Sequence, residues 1–260
     1  MNLVVASATE TLAERDILGV KVAVLDKSRA ISLIEARLKS GAFTRLAFLN
    51  AHCSNVAWRD SDYRAALSSF LVLADGVGVD LASRALHGEE FPENLNGTDF
   101  VPEMLASIGM PLKVGLLGST RENVARSAEA FRRLAPQHEF AVVSDGYFSE
   151  ADIGAILERI KTMKLDVLLV AMGVPLQEVF IAGQVNEGHV RVAAGVGALF
   201  DFMSGAVPRA PEWVRHWRLE WLFRLMQEPR RLWRRYHRQS IVHDPRFSAK
   251  TFRSSRLIGQ

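Results

Sequence analysis

The residues best placed to do chemistry stand at the ends of apolar runs. Phe70 to Ala74 is apolar and stops at Asp75; Gly76 and Gly78 follow, then a helix-like run from Val79 to Leu86. This order predicts a buried strand, a tight glycine turn and a helix. It puts the Asp75 carboxylate at the carboxyl edge of a sheet, where open α/β sheets bind ligands. Asp75 is therefore taken as the centre of an active site. A turn or helix-capping role is the alternative that its spacing leaves open. Asn50 closes the apolar run Arg45 to Leu49 in the same way.

Other turns repeat the pattern. Gly115-x-x-Gly118-Ser119-Thr120 joins a predicted strand to a helix, and free backbone N–H groups there would cradle a diphosphate. It lacks the full dinucleotide fingerprint and the P-loop lysine, and glycines in such turns also serve packing alone. In Gly173-x-Pro175-x-Gln177-Glu178 the proline suits a first helical turn. Gln177 and Glu178 are expected to project at the sheet edge toward sugar hydroxyls or a base; a plain helix start, with Glu favoured by the dipole, is the alternative. Gly195-Val196-Gly197 leads to Asp201, and Arg209 beyond it suits a phosphate. Asn94, Asn96, Thr98 and Asp99 crowd hydrogen-bonding groups into one loop. Asn50, Asp75, Gly118, Gly173 and Gly195 each follow a predicted strand, so all five are expected to face one crevice. Asp60-x-Asp62 fits the metal-binding pair of many nucleotide-sugar enzymes, but it follows a helical stretch and reads better as an N-cap. His52, His87 and His189 have no metal-ligand spacing. No metal or other cofactor is expected.

These residues need a scaffold. Residues 1–19 are mixed and expected to be loosely packed, and Val20 to Leu25 reads as an edge strand. Ser28 is a candidate cap for a helix ended by Gly41. Strands are predicted over Arg45–Leu49, Phe70–Ala74, Leu112–Leu117, Glu139–Val143, Asp166–Ala171 and Val190–Ala194, with helices between them. Ser119 and Glu122 have capping-box spacing. Alternation from about residue 20 to 205 predicts a mainly parallel, doubly wound Rossmann-like α/β sheet with flanking helices.

The character changes after this core, so residues 1–207 are expected to form the α/β domain and 208–260 a basic helical appendage. Residues 209–260 carry 13 Arg or Lys against 4 Asp or Glu, while the rest carries 19 against 25. The basic excess therefore lies in the tail, which suits a polyanion. Arg224, Arg230, Arg231 and Arg234 interleave with Trp221, Trp233 and Tyr236, a pattern that fits an anionic membrane surface. A helical hairpin packed on the domain, or a partner subunit in a homo-oligomer, would use the same aromatics. The single Cys53 excludes an internal disulfide and a multi-cysteine metal site. No signal-peptide pattern and no 18-residue apolar run is present, so a cytoplasmic protein is expected.

Taken in order, the motifs resemble the WecG/TagA/CpsF family of bacterial glycosyltransferases from about Leu25 to Arg235. They are Leu49-Asn50-Ala51, Asp75-Gly76-Val77-Gly78, Asn96-Gly97-Thr98-Asp99, Leu117-Gly118-Ser119, Gly173-Val174-Pro175-Leu176-Gln177-Glu178, Gly195-Val196-Gly197 with Phe200-Asp201, and Arg209-Ala210-Pro211 with Glu228-Pro229-Arg230. Within the family the Asn94 to Asp99 stretch looks most like the GumM-like β-1,4-glucosyltransferases of exopolysaccharide assembly.

The resemblance implies an inverting, metal-independent enzyme. It would move a sugar, expected here to be glucose from UDP-glucose, onto the 4-hydroxyl of a polyprenyl-diphosphate-linked sugar. N-acetylmannosamine or its uronic acid, moved to an N-acetylglucosamine diphosphate lipid, is the alternative within the family. The family's base aspartate falls on Asp75, its asparagine on Asn50 and its glutamine on Gln177. Phe48 stands where several members carry threonine, and Asn94 near where teichoic-acid members carry arginine, so donor contacts there must differ. The implied acceptor stays in the bilayer, which places the enzyme on the inner face of the plasma membrane. Nucleic acid is not an expected partner. A non-catalytic nucleotide- or nucleic-acid-binding module with a basic arm is the rival, since aromatics among arginines suit that too.

Overall fold

Six largely apolar runs form one sheet; five are buried on both faces, as parallel strands between two helical layers must be, and the edge run Glu139–Ser144 is half-buried. The structure, a computed structural model, describes residues 12–207. The elements in chain order are β1 (Glu14–Ile17), β2 (Val20–Ala23), α1 (Lys27–Ser40), β3 (Thr44–Leu49), α2 (Ala51–Arg59), α3 (Ser61–Leu67), β4 (Leu71–Ala74), α4 (Val77–His87), α5 (Gly97–Ser107), β5 (Lys113–Gly118), α6 (Arg121–Leu134), β6 (Glu139–Ser144), a 3₁₀ turn (Glu150–Asp152), α7 (Ile153–Met163), β7 (Val167–Ala171), α8 (Leu176–Gln184), β8 (Val192–Gly195) and α9 (Leu199–Met203). The main sheet runs β4-β3-β8-β7-β5-β6, and every pairing in it is parallel.

Side chains alternate across the strands. Leu46 and Phe48 join one core with Ile34, Phe100, Phe131 and Phe200; Ala47 and Leu49 join the other with Val56, Tyr63, Ile156 and Phe180. Connections that move toward the β4 edge cross the second face, through α2, α3, α7 and α8. Those that move toward the β6 edge use the first, through α5 and α6. A single crossover hand produces this pattern. The strand order consequently has a switch point between β7 and β5, whose following helices leave to opposite faces.

The amino-terminal part differs from expectation. Val20 to Leu25 does not edge the main sheet: β1 and β2 form a separate antiparallel hairpin. Its turn residues Leu18 and Gly19 both have positive φ, 54° and 88°, as a two-residue hairpin turn matched to strand twist requires. Nor is the described part of this segment loose. Arg15 bonds Ser83 Oγ and the carbonyls of Glu89 and Glu90, and pairs with the Glu89 carboxylate at 2.7 Å.

Two caps also differ. Asp26, not Ser28, caps α1, accepting from the Arg29 N–H. Thr120, not Ser119, caps α6, because Ser119 is itself left-handed with φ 54°. Asp60 caps α3 as expected, its Oδ1 accepting from the N–H groups of Asp62 and Tyr63. The appendage expected over 208–260 lies outside the described residues.

Candidate active site

At the carboxyl edge the strand ends fall in the order Asp75, Asn50, Gly195, Gly173, Gly118. Asn50 caps α2: its Oδ1 accepts the Cys53 N–H at 3.0 Å. That assignment turns the amide nitrogen outward, and Nδ2 donates to Asp75 Oδ2 at 3.4 Å. The contact is long, as catalytic contacts often are before substrate tightens them. Asp75 is held in turn by its N–H on the Leu49 carbonyl, 2.9 Å. The next residue, Gly76, has φ 90° and open space where a Cβ would stand, so backbone conformation rather than crowding requires glycine here.

Asn94 braces this turn, its Oδ1 accepting the Gly76 N–H at 2.6 Å, while Leu95 N–H bonds the Ala74 carbonyl. Asn96 caps α5 and gathers Thr98 and Asp99: its Oδ1 accepts from the Thr98 hydroxyl and the Asp99 N–H, and its Nδ2 donates to Asp99 Oδ2. The first turns of α2 and α4 meet closely, since a Cβ on Gly78 would stand 2.8 Å from that of Ala51. The positive ends of two helices thus converge beside Asp75, a setting that attracts negative charge.

The β5 turn is built differently from expectation. A Cβ on Gly118 would lie 2.3 Å from the Ala171 carbonyl oxygen. The Ser119 N–H donates to that same oxygen at 2.8 Å, so it is engaged within the fold. The Ser119 hydroxyl donates to Asp201 Oδ1 at 2.9 Å, and Asn123 Nδ2 reaches the same oxygen at 3.1 Å. Asn123 was not singled out from the sequence; its place three residues after the capping Thr120 was the available signal.

Gln177 and Glu178 lie at the edge but do not project from it: they are 2% and 1% exposed. Gln177 Nε2 donates to Glu178 Oε1 at 2.7 Å, and Gln177 Oε1 accepts the Gly197 N–H at 3.0 Å. Gly195 packs on the pair so tightly that a Cβ would stand 2.9 Å from Gln177 Nε2. Burial pushes the Glu178 carboxyl up to about 7, against the pull of the Gln177 hydrogen bond. Burial likewise pushes the Cys53 thiol up to about 12, aided by the charges of Glu178 and Asp75, and raises Tyr63, to which the thiol is hydrogen-bonded.

The structure therefore brings together Asn50, Asp75, Gly76 and Asn94, then Gln177, Glu178, Gly195 and the Gly197 amide, then Ser119 and Asp201. Gly173, with φ 77°, opens the β7 turn. Asp60 stands apart from all of these: α2 runs nine residues away from Asn50, about 13 Å at the helical rise. Among the described residues no group of three or more His, Cys, Asp or Glu could hold a metal ion. Arg209, Arg224, Arg230, Arg231 and Arg234 lie outside the described residues.

A doubly wound parallel sheet, with an amide-braced carboxylate and a glycine-shaped switch point on one edge, is the core of an α/β enzyme. Residues 15–258 match the glycosyl transferase WecG/TagA/CpsF family, and the chain belongs to that family. It is similar to the N-acetylglucosaminyldiphosphoundecaprenol N-acetyl-beta-D-mannosaminyltransferase of Bacillus spizizenii, 34% identical over 197 residues, 75% of this chain and 74% of that one. The proteins of the same name from Bacillus subtilis and Staphylococcus aureus are 31% identical over 192 residues and 32% over 188. They are covered over 73% and 70% of their lengths, by 73% and 72% of this chain. The chain is a glycosyltransferase. These relatives are named for mannosaminyl transfer, so the expected closeness to GumM-like glucosyltransferases gains nothing from them.

Proposed function

We propose that this enzyme moves an N-acetylmannosaminyl group, with inversion, from a nucleoside diphosphate to the 4-hydroxyl of an N-acetylglucosamine linked by diphosphate to a polyprenol. The names of the relatives support the sugar and the acceptor. The observation that carries the chemistry is the Asn50–Asp75 pair at the carboxyl edge. The acceptor oxygen attacks the anomeric carbon, the bond to the donor diphosphate breaks, and the electron pair leaves with that diphosphate. Asp75 takes the hydroxyl proton as general base, and the Asn50 amide orients its carboxylate.

The switch point between β7 and β5 is where a doubly wound sheet receives a nucleotide. Gly173 and Gly118 open that crevice. Three to four strand spacings separate it from Asp75, about 14 to 19 Å, leaving donor and acceptor sugars the space between. Arg209 and the tail arginines Arg224, Arg230, Arg231 and Arg234 neutralise the two diphosphates, a role that in this reading needs no metal. The acceptor's polyprenol stays in the bilayer, and no helix among the described residues is long and apolar enough to cross a membrane. The basic tail docks the enzyme on an anionic membrane surface, the cytoplasmic face of the plasma membrane.

Glucosyl transfer in an exopolysaccharide is the second reading. It draws on the Asn94 to Asp99 stretch, in which Asn94 Oδ1 accepts the Gly76 N–H beside Asp75 and Asn96 caps α5. The test is transfer from a panel of UDP-sugars to a synthetic N-acetylglucosaminyl-diphosphoryl lipid and its glucosyl counterpart, with EDTA present. Product with UDP-N-acetylmannosamine alone is the expected outcome. Product with UDP-glucose alone selects the second reading, and dependence on an added divalent ion overturns the metal-free mechanism.

A further inference from the structure

The buried carboxyl of Glu178 has no place in the transfer chemistry above. It is buried from solvent, yet it sits inside the ring of strand ends that forms the site, against Gly195. Its Oε1 accepts from Gln177 Nε2 at 2.7 Å, while its Oε2 has no hydrogen-bond partner among the described residues. A half-satisfied buried carboxyl costs stability, so its presence needs a reason other than packing.

The geometry points to Glu178 as a positioning residue that locks the Gln177 amide and, through it, the Gly195–Gly197 turn. An amide side chain can present either face, with oxygen and nitrogen exchanged. Here the choice is made by two partners at once. Glu178 Oε1 accepts from the nitrogen whether the carboxyl is ionised or neutral, and the Gly197 N–H donates only to the oxygen, at 3.0 Å. With the Glu178 acceptor removed, the amide nitrogen loses its partner and only the Gly197 N–H still favours this orientation, so the lock is halved. That turn carries the chain from β8 into α9, where Asp201 holds the Ser119 hydroxyl. Glu178 thus sets the floor between the base side of the site and the switch point. Its place in catalysis rests on the transfer reaction proposed above; the lock on Gln177 does not.

Three variants of the full chain test this. Glu178→Gln keeps an acceptor oxygen in place. Glu178→Leu keeps the volume without an acceptor. Glu178→Asp keeps the charge but withdraws it by one methylene, and guards against a Leu variant that does not fold. Two quantities are read: hydrogen-exchange protection of the ¹⁵N-labelled Gln177 side-chain amide, and kcat with KM for the donor. Glu178→Gln is expected to keep the protection and stay within about threefold of the parent rate. Glu178→Leu and Glu178→Asp are expected to lose the protection and about 10- to 100-fold in kcat at nearly unchanged KM, the scale of a site displaced by about 1 Å.

Unchanged protection in both acceptor-deficient variants overturns the lock. Lost protection with parental kcat overturns its place in catalysis. Equal loss of rate in Glu178→Gln with Gln177 still protected shows that the carboxyl reacts directly, and overturns the positioning role. If the parent itself transfers no sugar, the proposed function fails, while the amide readout still decides whether Glu178 holds Gln177.

Discussion

Asp75 and Glu178 are both carboxyl groups at one sheet edge, and their surroundings give them different work. Asp75 is half-buried beside an amide donor and two helix starts. Glu178 is buried, and its carboxyl titrates near 7. Asp75→Asn removes the base while leaving the turn intact, and kcat is expected to fall by about 10²- to 10⁴-fold with donor binding retained by calorimetry. Full turnover in that variant would sink the assignment.

For Glu178 the folded value lies above the ordinary 4.5 of a free carboxyl, so the folded state holds the proton more tightly than the unfolded one. The stability contributed by the neutral form is whole below about 4.5 and is lost as pH rises to about 7. Glu178→Gln cannot ionise. It should gain on the parent by a margin growing to about 3 kcal/mol between pH 5 and pH 8 in urea unfolding. A margin flat with pH contradicts the burial account. The neighbouring groups that face this carboxyl, Cys53 and Tyr63, are both pushed upward and stay neutral across that range.

At the scale of elements, glycines divide by what surrounds them. Gly118 joins β5 to α6 with φ 126° and the Ala171 carbonyl 2.3 Å from where a Cβ would be. Gly118→Ala must displace the β7 backbone at the switch point, and is expected to cost more than about 2 kcal/mol and to depress transfer. Gly154, exposed in the first turn of α7 with nothing within 4 Å of a Cβ, is the control. Gly154→Ala should stabilise by up to about 1 kcal/mol. Thermal melts of the two variants shifting in the same direction would contradict this reading. The same rule explains why Ser119 could not cap α6. A left-handed residue sends its side chain away from the helix it precedes, and the hydroxyl finds Asp201 instead.

Over the whole molecule the charge is divided, with the basic surplus beyond residue 208 and an acidic balance before it. A protein docked by that surplus should sediment with vesicles containing phosphatidylglycerol and not with phosphatidylcholine alone. The bound fraction should fall steeply between 50 mM and 500 mM salt, as screening shortens the reach of each arginine. Binding indifferent to lipid charge would assign the interaction to the tryptophans.

The local pattern of the chain was enough for much of this architecture. Continuous apolar runs marked β3, β4, β5 and β7, because a strand covered on both faces leaves no polar alternation to obscure it. Gly41 and Asp60 marked a helix end and a helix start through conformations and hydrogen bonds that reach only three or four residues. Asp75 and Asn50 were legible because each directly follows such a run. Only the tertiary structure decided the strand order, which places the switch point between β7 and β5 and depends on crossovers spanning scores of residues. It alone decided that Glu14 to Ala23 forms a hairpin of its own, since the first strand, Glu14–Ile17, is mostly charged and has no apolar run to mark it. It also turned Gln177 and Glu178 inward. Two polar residues in a first helical turn look the same in sequence whether they meet water or a neighbouring loop, and here Gly195 leaves the space that they fill.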